Sequence, residues 1–318
     1  MTTWPPTSRS GSCCDRRAGR MTAELSRAGT MIDLGRFADA ARVLSAVVAA
    51  APEDARAWCL LSRAQLGDGN VTESVLAARR ASTLDPADDW PYRLASTALL
   101  GLGRTGEAVA DALRARQLAP QFWRSHVCLA QAAVAAGQQQ LAVQASAAAL
   151  ALAPAEPDVH VIAGKVALGA GDLDLARRSQ RAALALDPGN LGAMNELGVI
   201  CLRTRDAAGA ARHFLAALRS APGSGVFSRN TEVALARAAL GVGCAAAGAA
   251  ALAVGAAVLA VAGLLPFAVA TAIMAVVLSA RAVALRARLP GPARRQLGRL
   301  LWGHRLELAR AAGPWHNR

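Results

Sequence analysis

The chain has 318 residues, enough for one or two domains with a sizeable core, and 54% of them are hydrophobic while only 4% are aromatic. Alanine and leucine dominate and β-branched alternation is scarce, which excludes a mainly β protein and predicts an all-α fold. The net charge of +13 sits at the ends: residues 1–20 carry four Arg and one Asp, residues 281–318 nine Arg and one Glu, and residues 21–222 balance 20 basic against 19 acidic side chains. A nucleic-acid binder would carry its basic patch on the folded body, so this distribution argues against nucleic acid and for a membrane surface.

Residues 1–20, "MTTWPPTSRSGSCCDRRAGR", are polar and lack the apolar run of a secretory signal. A disordered tail is expected there, with Met21 as a second candidate start. From residue 21 an internal period takes over. Pro52, Pro86, Pro120, Pro154, Pro188 and Pro222 are each 34 residues apart, the signature of stacked repeats. Seventeen residues before each proline stand Gly35, Gly69, Gly103, Gly137 and Gly171, and only Arg205 departs. Two further rows are nearly all small: Ala40, Ser74, Ala108, Ala142, Ala176 and Ala210, then Val47, Ala81, Ala115, Ala149, Ala183 and Ala217.

Each row has a physical reason. The glycine permits a tight turn between two helices. The small residues let those helices approach closely. The proline ends the second helix and pushes the residue before it out of helical geometry. Asp88 or Asn190 can then cap the helix that follows.

This 34-residue pattern, together with Trp58 and Leu61 and with Leu197 and Gly198, resembles the tetratricopeptide repeat over residues 21–222. The resemblance implies about six helix-turn-helix units stacked into a right-handed superhelix. It also implies that the first helix of each unit lines a concave peptide-binding groove. The residues at those positions include Arg56, Arg63, Trp90, Arg93, Arg124, Gln131, Lys165 and Asn195, above an aliphatic row of Leu66, Leu100, Val134, Leu168 and Leu202. Such a groove suits a protein or peptide ligand with an acidic or C-terminal carboxylate segment. The alternative places the aliphatics in the inter-repeat core and the arginines on a solvated face.

After a capping or linker helix at 223–237, no charged residue occurs from Ala238 to Ala280, a run of 43 positions. A membrane-spanning helix needs ~20 apolar residues, and Gly263 and Pro266 interrupt the run. The sequence therefore predicts a transmembrane helical hairpin over 238–285, with helices at about 238–262 and 266–285. Gly241, Gly243, Gly248 and Gly255 permit close packing within the hairpin or between protomers, so a homo-oligomer is expected as well. The basic amphipathic tail, 286–318, follows. The positive-inside tendency places it and the repeats in the cytoplasm, at the inner or cell membrane.

Catalytic and metal signatures are weak. "GLGRTG", residues 101–106, matches a dinucleotide fingerprint, but Gly103 belongs to the repeat phase and no acidic residue lies between Asp111 and Glu156. His126 and His160 are one period apart and occupy the phase of Trp58, a packing position. The six cysteines show no ligand spacing, and those in helices read as small buried hydrophobes. No catalytic residue, cofactor site or metal site is assigned. The expected role is a membrane-anchored, non-catalytic adaptor. The alternatives are an accessory subunit of a membrane enzyme or of a transport or secretion complex, and a soluble repeat protein with a buried hairpin.

Overall fold

Each 34-residue period folds as two helices around a left-handed turn. The computed structural model describes residues 11–222, 224–261 and 265–288. Its helices are α1 Gly11–Asp33, α2 Phe37–Ala50, α3 Ala55–Gly67, α4 Val71–Leu84, α5 Trp90–Gly101, α6 Thr105–Leu118, α7 Trp123–Ala135, α8 Gln139–Leu152, α9 Pro157–Gly169, α10 Leu173–Leu186, α11 Leu191–Arg203, α12 Ala207–Ser220, α13 Gly225–Val261 and α14 Leu265–Ala287. Among the described residues every regular element is a helix, as the composition predicts. The chain divides into two units, Met1–Gly171 and Asp172–Arg318, the boundary falling at the turn inside the fifth repeat. In the first unit each helix from α1 to α8 packs on its successor, and α1, α3, α5, α7 and α9 also pack on one another in series.

The turns carry the period. Gly35, Gly69, Gly103, Gly137 and Gly171 have φ of 74°, 86°, 72°, 71° and 83°. The next residue's N–H reaches back across the turn, as from Arg36 to Met31 O (2.8 Å), Asn70 to Gln65 O (2.8 Å) and Asp206 to Cys201 O (2.8 Å). These bonds satisfy carbonyls that the helix end leaves open. Arg205 adopts φ 60° in the same role and bears the left-handed strain of a side-chain-bearing residue, about 1–2 kcal/mol. At the other end of each unit, the residue before the phase proline leaves helical geometry, as Ala51 does at φ −140° and ψ 73°. Asp54, Asp172, Asn190 and Asp206 cap the helices that follow through N–H groups of Ala57, Leu175, Ala193 and Gly209.

The small-residue rows lie where helices touch. Ala40, Ala108, Ala142, Ala176 and Ala210 are wholly buried, as are Ala81, Ala115, Ala149, Ala183 and Ala217. Where serine replaces alanine, its hydroxyl finds a partner across the pair. Ser62 Oγ donates to Ser74 O (2.9 Å), Ser74 Oγ to Ser62 O (2.8 Å), and Ser96 Oγ to Ala108 O (2.8 Å). In the second unit the fully buried Phe214 lies against Gly198, where an added Cβ would strike its ring.

Polar seams complete the units. Trp58 Nε1 donates to Pro52 O (2.9 Å), and His126 and His160 reach Pro120 O and Pro154 O at 2.7 Å each. A carbonyl only accepts, so each Nε2 carries the proton. The histidines repeat the job of Trp58 and are packing residues, as their phase predicts.

Two boundaries differ from expectation. α1 starts at Gly11, inside the stretch expected to be a disordered tail, while residues 1–10 lie outside the described residues. The capping helix and the first hairpin helix are one continuous helix, because nothing between Gly225 and Val261 breaks it. α13 and α14 do pack as a hairpin. Among the described residues, however, no helix is long and apolar enough to cross a membrane, so the transmembrane character assigned to 238–285 is not supported. Alanine and glycine fill much of α13, and each buries less apolar area than the leucine and isoleucine of a strong span. Most of the basic tail, 289–318, lies outside the described residues.

Two stability changes follow. Phe214→Ala should lower the free energy of unfolding by about 3–5 kcal/mol in denaturant titration. Arg205→Gly should raise it by about 1 kcal/mol by relieving the left-handed side chain.

Candidate functional site

The first helices of the repeats in the first unit present a mixed basic and aromatic surface. On α3, Arg56 is exposed, and Arg63 Nη2 meets Asp33 Oδ1 of α1 at 2.8 Å. On α5, Trp90 is half-buried against the cores formed with α1–α4. Arg93 is largely buried and pairs with Asp89 at 2.5 Å. Arg124 of α7 is exposed, while Gln131 of α7 and Lys165 of α9 are half-buried. Asn195 lies in the second unit and accepts a hydrogen bond from Asn230 Nδ2 of α13 at 2.8 Å. It faces the capping helix. The aliphatic row is largely core: Leu66, Leu100 and Val134 pack against the buried cluster that includes Leu99 and Leu129.

The structure joins two of the predicted residues through residues the sequence reading did not single out. Arg93 and Arg124 both lie over the Phe122 ring, with guanidinium carbons 5.0 and 5.9 Å from its centroid. Arg124 also stacks on Trp123 at 4.4 Å. Ser125 Oγ donates to Asp89 Oδ2 at 2.9 Å, tying the start of α7 to the start of α5. A guanidinium on an aromatic face is held flat and keeps N–H groups at its edge for a carboxylate or phosphate. Asp89, Phe122, Trp123 and Ser125 complete this cluster. The available signal was the Phe122-Trp123 pair in a chain with six Trp, one Tyr and five Phe.

The remaining perturbed groups are structural. Burial pushes the Cys59 thiol up to about 12 and raises those of Cys128 and Cys201 as well, so all three stay protonated. "GLGRTG" joins α5 to α6, so a helix stands where the fingerprint needs a strand. Among the described residues no three His, Cys, Asp or Glu gather as a ligand set.

Asp111 of α6 is 7% exposed and accepts from Arg79 Nη1 of α4 at 2.7 Å, while its second oxygen has no partner. Burial raises its pKa and Arg79 opposes that rise. The folded chain thus holds this proton more tightly than the unfolded chain. The group favours folding below the ordinary carboxylate range and opposes it as pH rises through the raised value.

All-helical tandem repeats with glycine turns and proline seams define the class. The tetratricopeptide-repeat family model matches residues 32–89 and 163–225, so tetratricopeptide repeats are present in both units. No curated protein matches the chain. Among solved structures, a thermophilic tetratricopeptide-repeat protein of Thermus thermophilus is similar at 22% identity and TM-score 0.51, covering 59% of this chain and 98% of that one. PilW, a widely conserved type IV pilus biogenesis factor, is similar at 15% identity and TM-score 0.52, with 68% and 98% covered. The APC/C hetero-tetramer Cut9–Hcn1 is similar at 17% identity and TM-score 0.55, with 71% of this chain and 44% of that one covered. At these identities the likeness is one of fold.

Asp111→Asn should raise stability at pH 7 by up to about 1 kcal/mol, because half-exposed Arg79 can rehydrate. The gain should vanish below about pH 4, measured by denaturant titration across pH.

Proposed function

We propose that this protein is a non-catalytic interaction scaffold whose first-helix surface in the first unit captures an acidic segment of a protein partner. The observation that carries the reading is the cluster of Arg93, Phe122, Trp123 and Arg124, with Arg56 exposed on α3. Arginine and large aromatics are the side chains that dominate binding energy at protein interfaces. Tetratricopeptide repeats generally mediate protein–protein interaction and are typically non-catalytic, which supports the same reading. Arg56, Arg124, Gln131 and Lys165 are the proposed contact residues, and Trp90 supports the helix that carries Arg93. Arg63 and Arg93 act from within their pairs with Asp33 and Asp89.

A second element of the proposal is association with a membrane through the α13–α14 hairpin, with the repeats on the cytoplasmic side. Its support is the uncharged run from Ala238 to Ala280 and the exposure of Val269, Ile273, Val276, Val277 and Val283 on α14, at 53–69% each. Arg281, Arg286 and Arg288 lie near the C-terminal end of α14, where they suit anionic headgroups.

Two measurements test these readings separately. Arg56→Glu with Arg124→Glu should reduce partner capture from native lysate about tenfold, with helical content and Tm unchanged. Equal capture by wild type and variant would discard the surface. The full-length chain should pellet with membranes from lysed cells and enter the supernatant only with detergent. Recovery in the detergent-free supernatant would discard the lipid association.

A further inference from the structure

We propose that Arg205 and Arg237 form a phosphate-binding pocket in the second unit, filled by the headgroup phosphate of an anionic lipid. The pocket, of about 300 Å³, lies between the α11–α12 turn and α13 and is lined by Leu202, Arg205, Ala207 and Arg237.

The first argument is backbone conformation. Five of the six repeat turns use glycine at the left-handed position, and the sixth uses arginine at φ 60°. Glycine would make this turn without strain, as it does at Gly35 and Gly171. The turn therefore gains nothing from Arg205, and the reason for a side chain there lies in what the side chain reaches. It reaches the pocket that Arg237 also lines.

The second argument is charge. Among the described residues neither Arg205 nor Arg237 has a carboxylate partner. The acidic group next in sequence, Asp206, is committed to the start of α12, where Oδ1 accepts from Gly209 N at 2.8 Å. Two exposed arginines therefore line one pocket with no carboxylate beside them, and an anion bound there would offset the charge of both. A phosphate, with several acceptor oxygens, satisfies the donor forks of both at once.

The third argument is position, and it selects the source of the phosphate. Arg237 is the last charged residue before the uncharged run that begins at Ala238. A lipid surface meeting the hairpin would place its headgroups at this end of the run. The lipid source rests on the membrane reading above, whereas the pocket's affinity for phosphate does not.

The test uses the full-length chain with vesicles of phosphatidylcholine alone or with added phosphatidic acid, read by co-flotation, and inorganic phosphate alone, read by thermal melting. Arg205→Gly with Arg237→Gln removes both guanidiniums while easing the turn. Arg178→Gln with Arg219→Gln removes the same charge from exposed sites in the same unit. Wild type and the control pair should prefer phosphatidic acid vesicles, and the pocket variant should bind them about tenfold less tightly while keeping its binding to phosphatidylcholine. A melting rise with inorganic phosphate that only the pocket variant loses, without any vesicle preference, supports the pocket and assigns it a soluble phosphate. An equal loss in both variants overturns the proposal, because net charge alone would then explain it. So does a wild type that responds to neither phosphate source. Absence of binding to every vesicle removes the membrane reading and leaves the melting arm to decide the pocket.

Discussion

Close approach between helices is the constraint on which this structure depends. In the two small-residue rows ten of the twelve positions are wholly buried alanines, from Ala40 to Ala217, so at those contacts a methyl group sets the distance between helices. Alanine buries little area, and each contact contributes little through the hydrophobic effect. What it gives is close spacing and almost no loss of side-chain freedom. With so few aromatics to fill space, the protein gains cohesion from many short contacts rather than a few large ones. Larger side chains such as Leu44, Leu99, Leu129 and Ile200 are also fully buried, and the largest, Phe214, is accommodated by Gly198 facing it.

That spacing makes the polar details exacting. A hydroxyl buried between helices this close is costly unless it is bonded, and Ser62, Ser74 and Ser96 bond across the pair. The seams at Pro52, Pro120 and Pro154 are closed by a ring N–H at one fixed phase, from Trp58, His126 and His160. Different residue types serve there because an indole and an imidazole each bring one ring N–H to the same carbonyl. Asp111 is the opposite case, a buried carboxylate with one oxygen partnered and one not.

The sequence departs from this economy in three places. Aromatic side chains gather at the start of α7, next to two arginines. Arginine replaces glycine at one turn of six. Uncharged residues run far longer than any repeat needs. Each departure is unnecessary for stacking helices, and each lies beside a surface with a distinct chemistry.

Much of the fold was legible in the sequence because the repeat is local. The glycine turns, proline stops and small-residue rows act within one period, and their spacing along the chain determines the helix pairs and their phase. The phase also settled the histidines as packing residues. Less of the surface was legible, because it depends on partners far apart in sequence. Arg93 was predicted to face a ligand, yet only packing of α5 on α7 placed Phe122 over it and Ser125 beside Asp89. Asn195 shared a row with Arg93, and only α13 decided that it would face Asn230. The hairpin was visible as an interruption at Gly263 and Pro266, whereas the fusion of its first helix with the capping helix was not, since no turn residue marks that junction. Local chain geometry was thus fixed by the order of residues alone. Charge pairing, stacking and burial were decided only by the tertiary structure, because those energies depend on which distant side chains are brought within a few ångströms.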